Sequence, residues 1–256
     1  MFKLATWNVN SIRVRLDQVL DWLQAQTPDI LAIQETKVVD EMFPVEEFRQ
    51  LGYQVICNGQ KAYNGVAIIS RNSATQVLTA LPSFADPQRR LLYARFEQLA
   101  VLNIYVPNGM ALGTDKYAYK LDWLASLQGF VREQLGSSER LVVVGDFNIA
   151  PADEDVHSPE QWRGKVLVSE PERDQFFRLI DQGLVDCFRL FQQDAGSFSW
   201  WDYRASGFER NRGLRIDHIL ASKTLAERCT SCRIDTAPRR LERPSDHAPV
   251  VAQFDL

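Results

Sequence analysis

The chain has 256 residues, 45% of them hydrophobic and 24% charged, with a net charge of −4. That length and composition support a large buried core and exclude a low-complexity polypeptide. No run approaches the roughly 18 consecutive apolar residues of a membrane span, residues 1–7 lack the apolar region of a signal peptide, and sparse cysteines suit a reducing, cytoplasmic setting.

Residues 3–8 alternate and predict a strand ending in a polar turn. A helix follows, with Ile12, Leu16, Val19, Leu20 and Leu23 on one face and Thr27-Pro28 stopping it. Residues 29–34 read as a buried strand that ends at Glu35, and residues 65–70 as another. Two strands over 91–96 and 99–105 are separated by a short polar link, the pattern of a hairpin. The longest helix is expected over 116–135, with Leu121, Leu124, Leu127, Val131 and Leu135 at helical spacing and Gly136 just past its end. Residues 141–146 form an apolar run that stops at the carboxylate of Asp146. A second helix over 171–182 is closed by Gly183, and strands over 216–221 and 250–254 complete the set. With no repeat and no linker, residues 1–256 read as one α/β domain. Hairpins interrupt the βαβ alternation, so two mixed sheets packed face to face, with helices on their outer faces, fit better than a doubly wound sheet.

Cys229 and Cys232 form a C-x-x-C pair, but a second pair and a nearby histidine are missing. These two, Cys57 and Cys187 are therefore read as structural. A net charge of −4 argues only weakly against nucleic acid, because basic and acidic residues can cluster on different faces.

Apolar strands end at Asn8, Glu35, Tyr105, Asp146 with Asn148, and Asp217, which would gather these residues at one sheet edge. Their chemistry fits phosphate-ester hydrolysis, which needs an activated water, a stabilised oxyanion and a tolerated leaving alkoxide. Mg²⁺, or Mn²⁺, takes carboxylate and amide oxygens and serves the last two. Glu35, Asn8 and Asp246 suit such an ion. Asp217 with His247 makes a carboxylate–imidazole pair, and Asp146, backed by Asn148, is placed to orient water.

The motifs Thr6-Trp7-Asn8-Val9-Asn10, Ile33-Gln34-Glu35-Thr36-Lys37, Gly145-Asp146-Phe147-Asn148 and Ser245-Asp246-His247-Ala248-Pro249-Val250 occur in this order. They resemble those of the endonuclease/exonuclease/phosphatase superfamily along essentially the whole chain. The segments 199–204, Ser-Trp-Trp-Asp-Tyr-Arg, and 211–218, Asn-Arg-Gly-Leu-Arg-Ile-Asp-His, are similar to the exonuclease III branch, the bacterial abasic-site endonucleases. The resemblance implies a four-layer, DNase I-like α/β sandwich. It also implies Glu35 as main metal ligand, with Asn8 and Asp246 nearby, Asp146 and Asn148 at the water, Tyr105 near the phosphate, and Asp217 orienting His247. Among Asp146, His247 and Tyr105 the sequence leaves the general base open, with Asp146 favoured for the water and His247 for a phosphate oxygen.

The expected partner is double-stranded DNA with abasic or 3′-end lesions, met by a monomer. Trp200 and Leu214 are expected against a sugar or base step, and Arg204, Arg212 and Arg215 against phosphates. Asn108 is a further contact candidate. Arg89, Arg90, Lys61 and Arg13 are weaker ones. His157 lies in a loop after the Asp146 motif and would skew the activity towards 3′ ends, while His218 is expected to point away from the site. Abasic-site incision, 3′-phosphate removal and 3′–5′ degradation share one engine, and the motifs do not rank them. The rival reading is a phosphatase of the same superfamily acting on lipid or inositol phosphates.

Overall fold

A computed structural model describes residues 1–97 and 99–256. Among them the chain forms fourteen strands and six α-helices. One six-stranded sheet contains, in spatial order, β13 (Cys229–Ile234), β14 (Val250–Phe254), β1 (Phe2–Asn8), β2 (Ile30–Gln34), β4 (Val66–Ser70) and β3 (Gln54–Asn58). The other contains β5 (Gln76–Leu78), β6 (Leu91–Phe96), β7 (Leu99–Tyr105), β8 (Leu141–Asp146), β12 (Asp217–Ser222) and β9 (Leu184–Asp186). A short ribbon, β10 (Trp200–Trp201) with β11 (Gly213–Leu214), stands apart. Each large sheet is antiparallel except for one parallel pair, β1–β2 and β7–β8, so both sheets are mixed as expected. The β6–β7 pair is antiparallel, with Phe96 opposite Leu99.

The parallel pairs require helical crossovers. Helix α1 (Ile12–Gln26) makes the first and α3 (Asp115–Ser137) the second. Successive residues of a strand face opposite ways, and on β8 both directions are apolar. Val142 and Val144 enter the core between the sheets, whereas Leu141 and Val143 pack outwards beneath α3 and α5 (Glu170–Asp181). Burial on both faces explains why this strand is a continuous apolar run. On the first sheet, Leu4, Ile30 and Ile68 face inwards, while Ala5, Leu31 and Ile69 pack beneath α1 and α2 (Val45–Gln50). The shorter helices α4 (Pro159–Trp162) and α6 (Lys223–Ala226) belong to connecting loops. The four layers are thus helix, sheet, sheet, helix.

Thr27 ends α1 in the left-handed conformation, its N–H donating to Leu23 O at 2.8 Å. The expected stop at Gly136 is wrong: α3 runs through it to Ser137. Glycine lowers helix propensity by only about 1 kcal/mol, which burial of Leu127, Phe130 and Val131 on this helix overrides. Polar groups also cross between the sheets. Gln34 Nε2 donates to Asn103 Oδ1 at 2.7 Å, and Asn103 Nδ2 donates to the carbonyls of Ile33 and Ala67 at 3.0 and 2.9 Å. Cys187 and Cys232 are buried in the inter-sheet core with Cys229 packed against it, and all four cysteines are free thiols. No helix among the described residues is long and apolar enough to cross a membrane.

Candidate active site

Both parallel pairs end at the same edge of the sandwich. This brings Asn8 and the Glu35 turn from one sheet against Tyr105 and Asp146 from the other. Asp217 opens β12 directly opposite Asp146, and His247 lies just ahead of β14. The 245–247 turn is tied to β1 by Ser245 Oγ donating to Asn8 O at 2.7 Å and Trp7 Nε1 donating to His247 O at 3.2 Å. Gly145 allows the two sheet strands to meet here: with φ +143, a side chain at this position would sit 1.9 Å from Ile104 O. Left-handed backbone recurs at non-glycine residues around the edge, at Asn10, Ser11, Glu35, Lys37 and Asn148. Such conformations are costly and persist where surrounding bonds fix them.

The polar groups form one connected network. Asn8 Nδ2 bridges the sheets, donating to Glu35 Oε1 at 3.0 Å and to Asp146 Oδ2 at 2.9 Å. Tyr105 also donates to Glu35 Oε1, at 2.8 Å. The backbone N–H of Asn148 holds Asp146 Oδ1 at 2.9 Å, and Asn108 Nδ2 donates to Asn148 Oδ1 at 3.1 Å. His247 Nδ1 donates to Asp217 Oδ2 at 2.9 Å, which fixes the imidazole with Nε2 3.8 Å from Asp146 Oδ2.

Burial dominates the electrostatics. It pushes the Asp146 carboxyl up to about 7, against the opposing pull of His247 and with reinforcement from Asp217. Burial pulls the His247 imidazole down, but Asp217 and Asp146 together outweigh it and raise it to about 10. Burial and then the charges of Glu35 and Asp146 hold the Tyr105 phenol well above its usual range. At neutral pH the site therefore presents a carboxylate able to take a proton, an imidazolium and an un-ionised phenol. For Glu35, burial would raise the carboxyl, but Lys37 and Asn8 more than compensate and keep it below its ordinary value.

Hard divalent cations bind carboxylate and amide oxygens. Glu35 Oε2 and Asn10 Oδ1 already converge on one positive charge, the Lys37 ammonium, at 2.8 and 2.5 Å. Ligand atoms of Glu35, Asp146 and His247 lie within 4.8 Å of one another, so the residues present fit a metal ion. Asp246 lies beside this cluster, accepting from Asn10 Nδ2 at 2.9 Å and Trp200 Nε1 at 3.0 Å.

Sequence reasoning missed three groups here: Asn10, Lys37 and Ser199. Ser199 Oγ donates to Asp217 Oδ2 at 2.7 Å and accepts from the N–H groups of Ile216 and Asp217. All three lie inside the motifs already singled out, yet only folding reveals their partners.

Two of the expected DNA contacts are corrected. Arg215 is 1% exposed, and its guanidinium is bound to Asp155 at 2.6 Å and Asp186 at 2.8 Å. It sits within a buried knot beneath the loops, where paired carboxylates satisfy its charge. Leu214 is 0% exposed, packed with Ala150, Val156, Leu167, Val168 and Ile216, so it supports Trp200 across the ribbon from below. Arg204 and Arg212 are exposed, and Trp200 is half-buried beside Asp246. His157 anchors its loop by donating from Nδ1 to Gly213 O at 3.2 Å. Its ring meets Trp162 edge-on at 6.3 Å, and Trp162 meets Trp200 at 6.5 Å, making a continuous aromatic wall. His218 points away from the site, packing on Phe147 and Phe176 with Nε2 donating to Ile149 O at 2.9 Å. Burial and then the neighbouring Arg215 depress it to about 4.

The endonuclease/exonuclease/phosphatase family model matches residues 5–247. Exodeoxyribonuclease III from Haemophilus influenzae is 38% identical, covering 98% of this chain and 99% of the relative. A structure of the 3′ phosphatase NExo from Neisseria, bound to a product DNA hairpin, is 45% identical with a TM-score of 0.98 and full coverage of both chains. An abasic-site endonuclease from Archaeoglobus fulgidus is 42% identical with a TM-score of 0.96, again over both full chains.

Proposed function

The chain belongs to the endonuclease/exonuclease/phosphatase family, and from that premise we propose that it hydrolyses phosphate esters of duplex DNA at abasic sites and at blocked or terminal 3′ ends, with Mg²⁺ as cofactor. In coarser terms it is a metal-dependent DNA-repair phosphodiesterase, a nuclease acting on DNA. We read residues 1–256 as one catalytic domain, working as a monomer in the cytoplasm. The observation that carries the mechanism is His247 held between Asp217 and Asp146, 2.9 and 3.8 Å away, at an edge shared with Glu35.

Glu35 would hold the ion, with Asn8, Asn10 and Asp246 alongside, and a bound ion would supply Lewis-acid stabilisation of developing negative charge. Asp146 orients the attacking water and accepts its proton, a task suited to a buried carboxyl raised to about 7. Asn148 holds Asp146 in place for that step. The His247 imidazolium donates to a non-bridging phosphate oxygen through Nε2, since Asp217 occupies Nδ1. Tyr105, near the phosphate, keeps its proton and donates a hydrogen bond to Glu35 Oε1, so it is not the base.

Trp200 lines the pocket for the terminal sugar, Arg204 and Arg212 meet backbone phosphates, and Asn108, bonded to Asn148, reaches the phosphate beside Asp146. A skew towards 3′ ends would rest on the wall formed by His157, Trp162 and Trp200, with the His157 ring filling space beside the bound phosphate.

The test uses matched duplexes carrying an internal abasic-site analogue, a nick with 3′-phosphate, or a plain recessed 3′ end. Each is incubated with Mg²⁺, with EDTA, and with an Asp146→Asn variant. Metal-dependent cleavage, lost in the variant and greatest on the 3′-phosphate, is expected. Absence of cleavage on every duplex would reject the function. His157→Gly is expected to raise abasic-site incision relative to 3′-phosphate removal, and an unchanged ratio would reject the role of the wall.

A further inference from the structure

Beneath the two asparagines that border the site, Lys120 of α3 carries an ammonium group that is 0% exposed. It donates to Glu172 Oε1 at 2.5 Å, to the carbonyl of Asn148 at 2.7 Å and to the carbonyl of Asn108 at 3.2 Å. Three N–H donors thus meet three acceptors, which is the full capacity of a lysine. A buried ammonium needs an acceptor for each N–H, and beyond Glu172 the two it finds are backbone carbonyls of the site loops. Here they belong to the residues whose side-chain amides touch each other at 3.1 Å above.

Neither asparagine sits in a regular strand or helix that would fix its peptide plane. Asn148 is left-handed, with φ 50, and Asn108 leads into Gly109 at φ 89. At Asn148 one end of the residue is pinned by its N–H on Asp146 Oδ1, and the other end by its carbonyl on Lys120. Glu172 is itself immobilised in the first turn of α5, accepting from the N–H groups of Leu167 and Ser169 at 3.0 and 3.1 Å and from Ser169 Oγ at 2.5 Å. The chain of contacts therefore runs from the α5 N-terminus through Glu172 and Lys120 to two loops, and from these to Asp146.

We propose that Lys120, backed by Glu172, is a positioning residue for hydrolysis: it fixes the peptide planes of Asn108 and Asn148 so that the Asn108 amide and the Asp146 carboxylate held by Asn148 face the phosphate together. The inference rests on the phosphodiesterase reading above. Lys120 touches no reacting atom, and its effect falls on turnover rather than on affinity for DNA.

Lys120→Met alone leaves the Glu172 charge buried without a partner and endangers folding. The informative protein is the Lys120→Met/Glu172→Gln double variant, in which methionine fills the volume and the glutamine oxygen still accepts from the Ser169 N–H and Oγ, while the Leu167 N–H loses its acceptor. Turnover and KM are measured on a 3′-phosphate duplex with Mg²⁺, beside the unaltered protein and an Asn148→Ala variant. The double variant is expected to fold, with a lower melting temperature because the Asn108 and Asn148 carbonyls lose their donor, and to lose kcat on the order of 10²-fold at temperatures where it is folded, the effect of misplacing catalytic groups by about an ångström. Its KM is expected to move less than about threefold, because the loss is confined to the transition state. Added to Asn148→Ala, the double substitution is expected to cost less than its full factor, since part of its effect runs through the Asn148 amide and part through Asn108. A folded double variant with parental kcat, or losses that multiply in the triple variant, would overturn the proposal. So would a double variant that cannot fold, for the pair would then be holding the protein rather than two amides. Inactivity of the unaltered protein on DNA would instead defeat the functional reading, which keeps the two failures apart.

Discussion

Replacing Asp217 with asparagine removes the charge that does most to keep His247 protonated. Its Oδ2 accepts from His247 Nδ1 at 2.9 Å and from Ser199 Oγ at 2.7 Å, all within the buried edge. Burial alone would drive the imidazole below its ordinary 6.5, yet Asp217 and then Asp146 raise it to about 10. At about 1.36 kcal/mol per pKa unit, the net preference for the imidazolium is roughly 5 kcal/mol. Without Asp217, burial is opposed only by Asp146 and, more weakly, by Asp246, so the imidazole gives up its proton at lower pH than in the parent. The unaltered protein should be active while Asp146 is ionised and His247 protonated, so its rate should rise through about 7 and fall through about 10. In the Asp217→Asn variant the alkaline limb moves down, further than the acid limb, which also loses the upward push of Asp217 on Asp146, and the window narrows. Single-turnover cleavage of a 3′-phosphate duplex, followed across both limbs, should show a loss of about 10²–10⁴ at the parental optimum. A variant whose alkaline limb stays in place, with a rate within about threefold of the parent, would refute the assignment of His247 as a charged donor.

Arg215→Met should lower unfolding free energy by about 3–5 kcal/mol, because Asp155 and Asp186 lose their buried partner. DNA affinity of the folded fraction should not change, and a selective fall in affinity would return Arg215 to the interface. Arg212→Ala should do the reverse: stability within about 0.5 kcal/mol, but weaker DNA binding with a salt slope reduced by about one. EDTA should abolish turnover with little change in melting temperature, since Asn8, Tyr105 and Lys37 satisfy Glu35 from within the protein; a large fall would make the ion structural. His218 is neutral in the fold and depressed to about 4. Its contribution is complete above 6.5, its unfolded value, and is lost as pH falls towards 4, because only the unfolded chain then gains the proton. Urea titrations should show up to about 3 kcal/mol of acid destabilisation from this source, reduced in a His218→Gln variant.

The strands that carry the site were legible because each is buried on both faces and ends abruptly at a polar residue. Thus 141–146 stops at Asp146, and 29–34 stops before Glu35. Edge strands such as β3, β9 and β13 escaped notice, being short or half-exposed with no clear alternation. The candidate site was readable as residue types at strand ends, and the motif resemblance supplied their grouping. What the sequence could not convey was which arginine faces outwards. Arg212 and Arg215 are separated by two residues, but the ribbon sends one to solvent and closes the other over Asp155. Nor could spacing reveal that Asn10, Lys37 and Ser199 are woven into the cluster, since their partners come from remote strands and turns. The Lys120–Glu172 contact spans fifty-two positions, and neither residue stands in a motif.

Asn8 binds a carboxylate on each sheet, while Asn103 and Gln34 stitch the same two slabs together one layer deeper. The catalytic edge is therefore a joint between two stiff plates, and its accuracy is that of their mutual alignment. Heat or a cavity in the inter-sheet core can let the plates slip by a fraction of an ångström while each keeps its own ladder of hydrogen bonds. Cleavage should then fade at a lower temperature than the loss of secondary structure, and ageing or damaged molecules would become idle before they become unfolded.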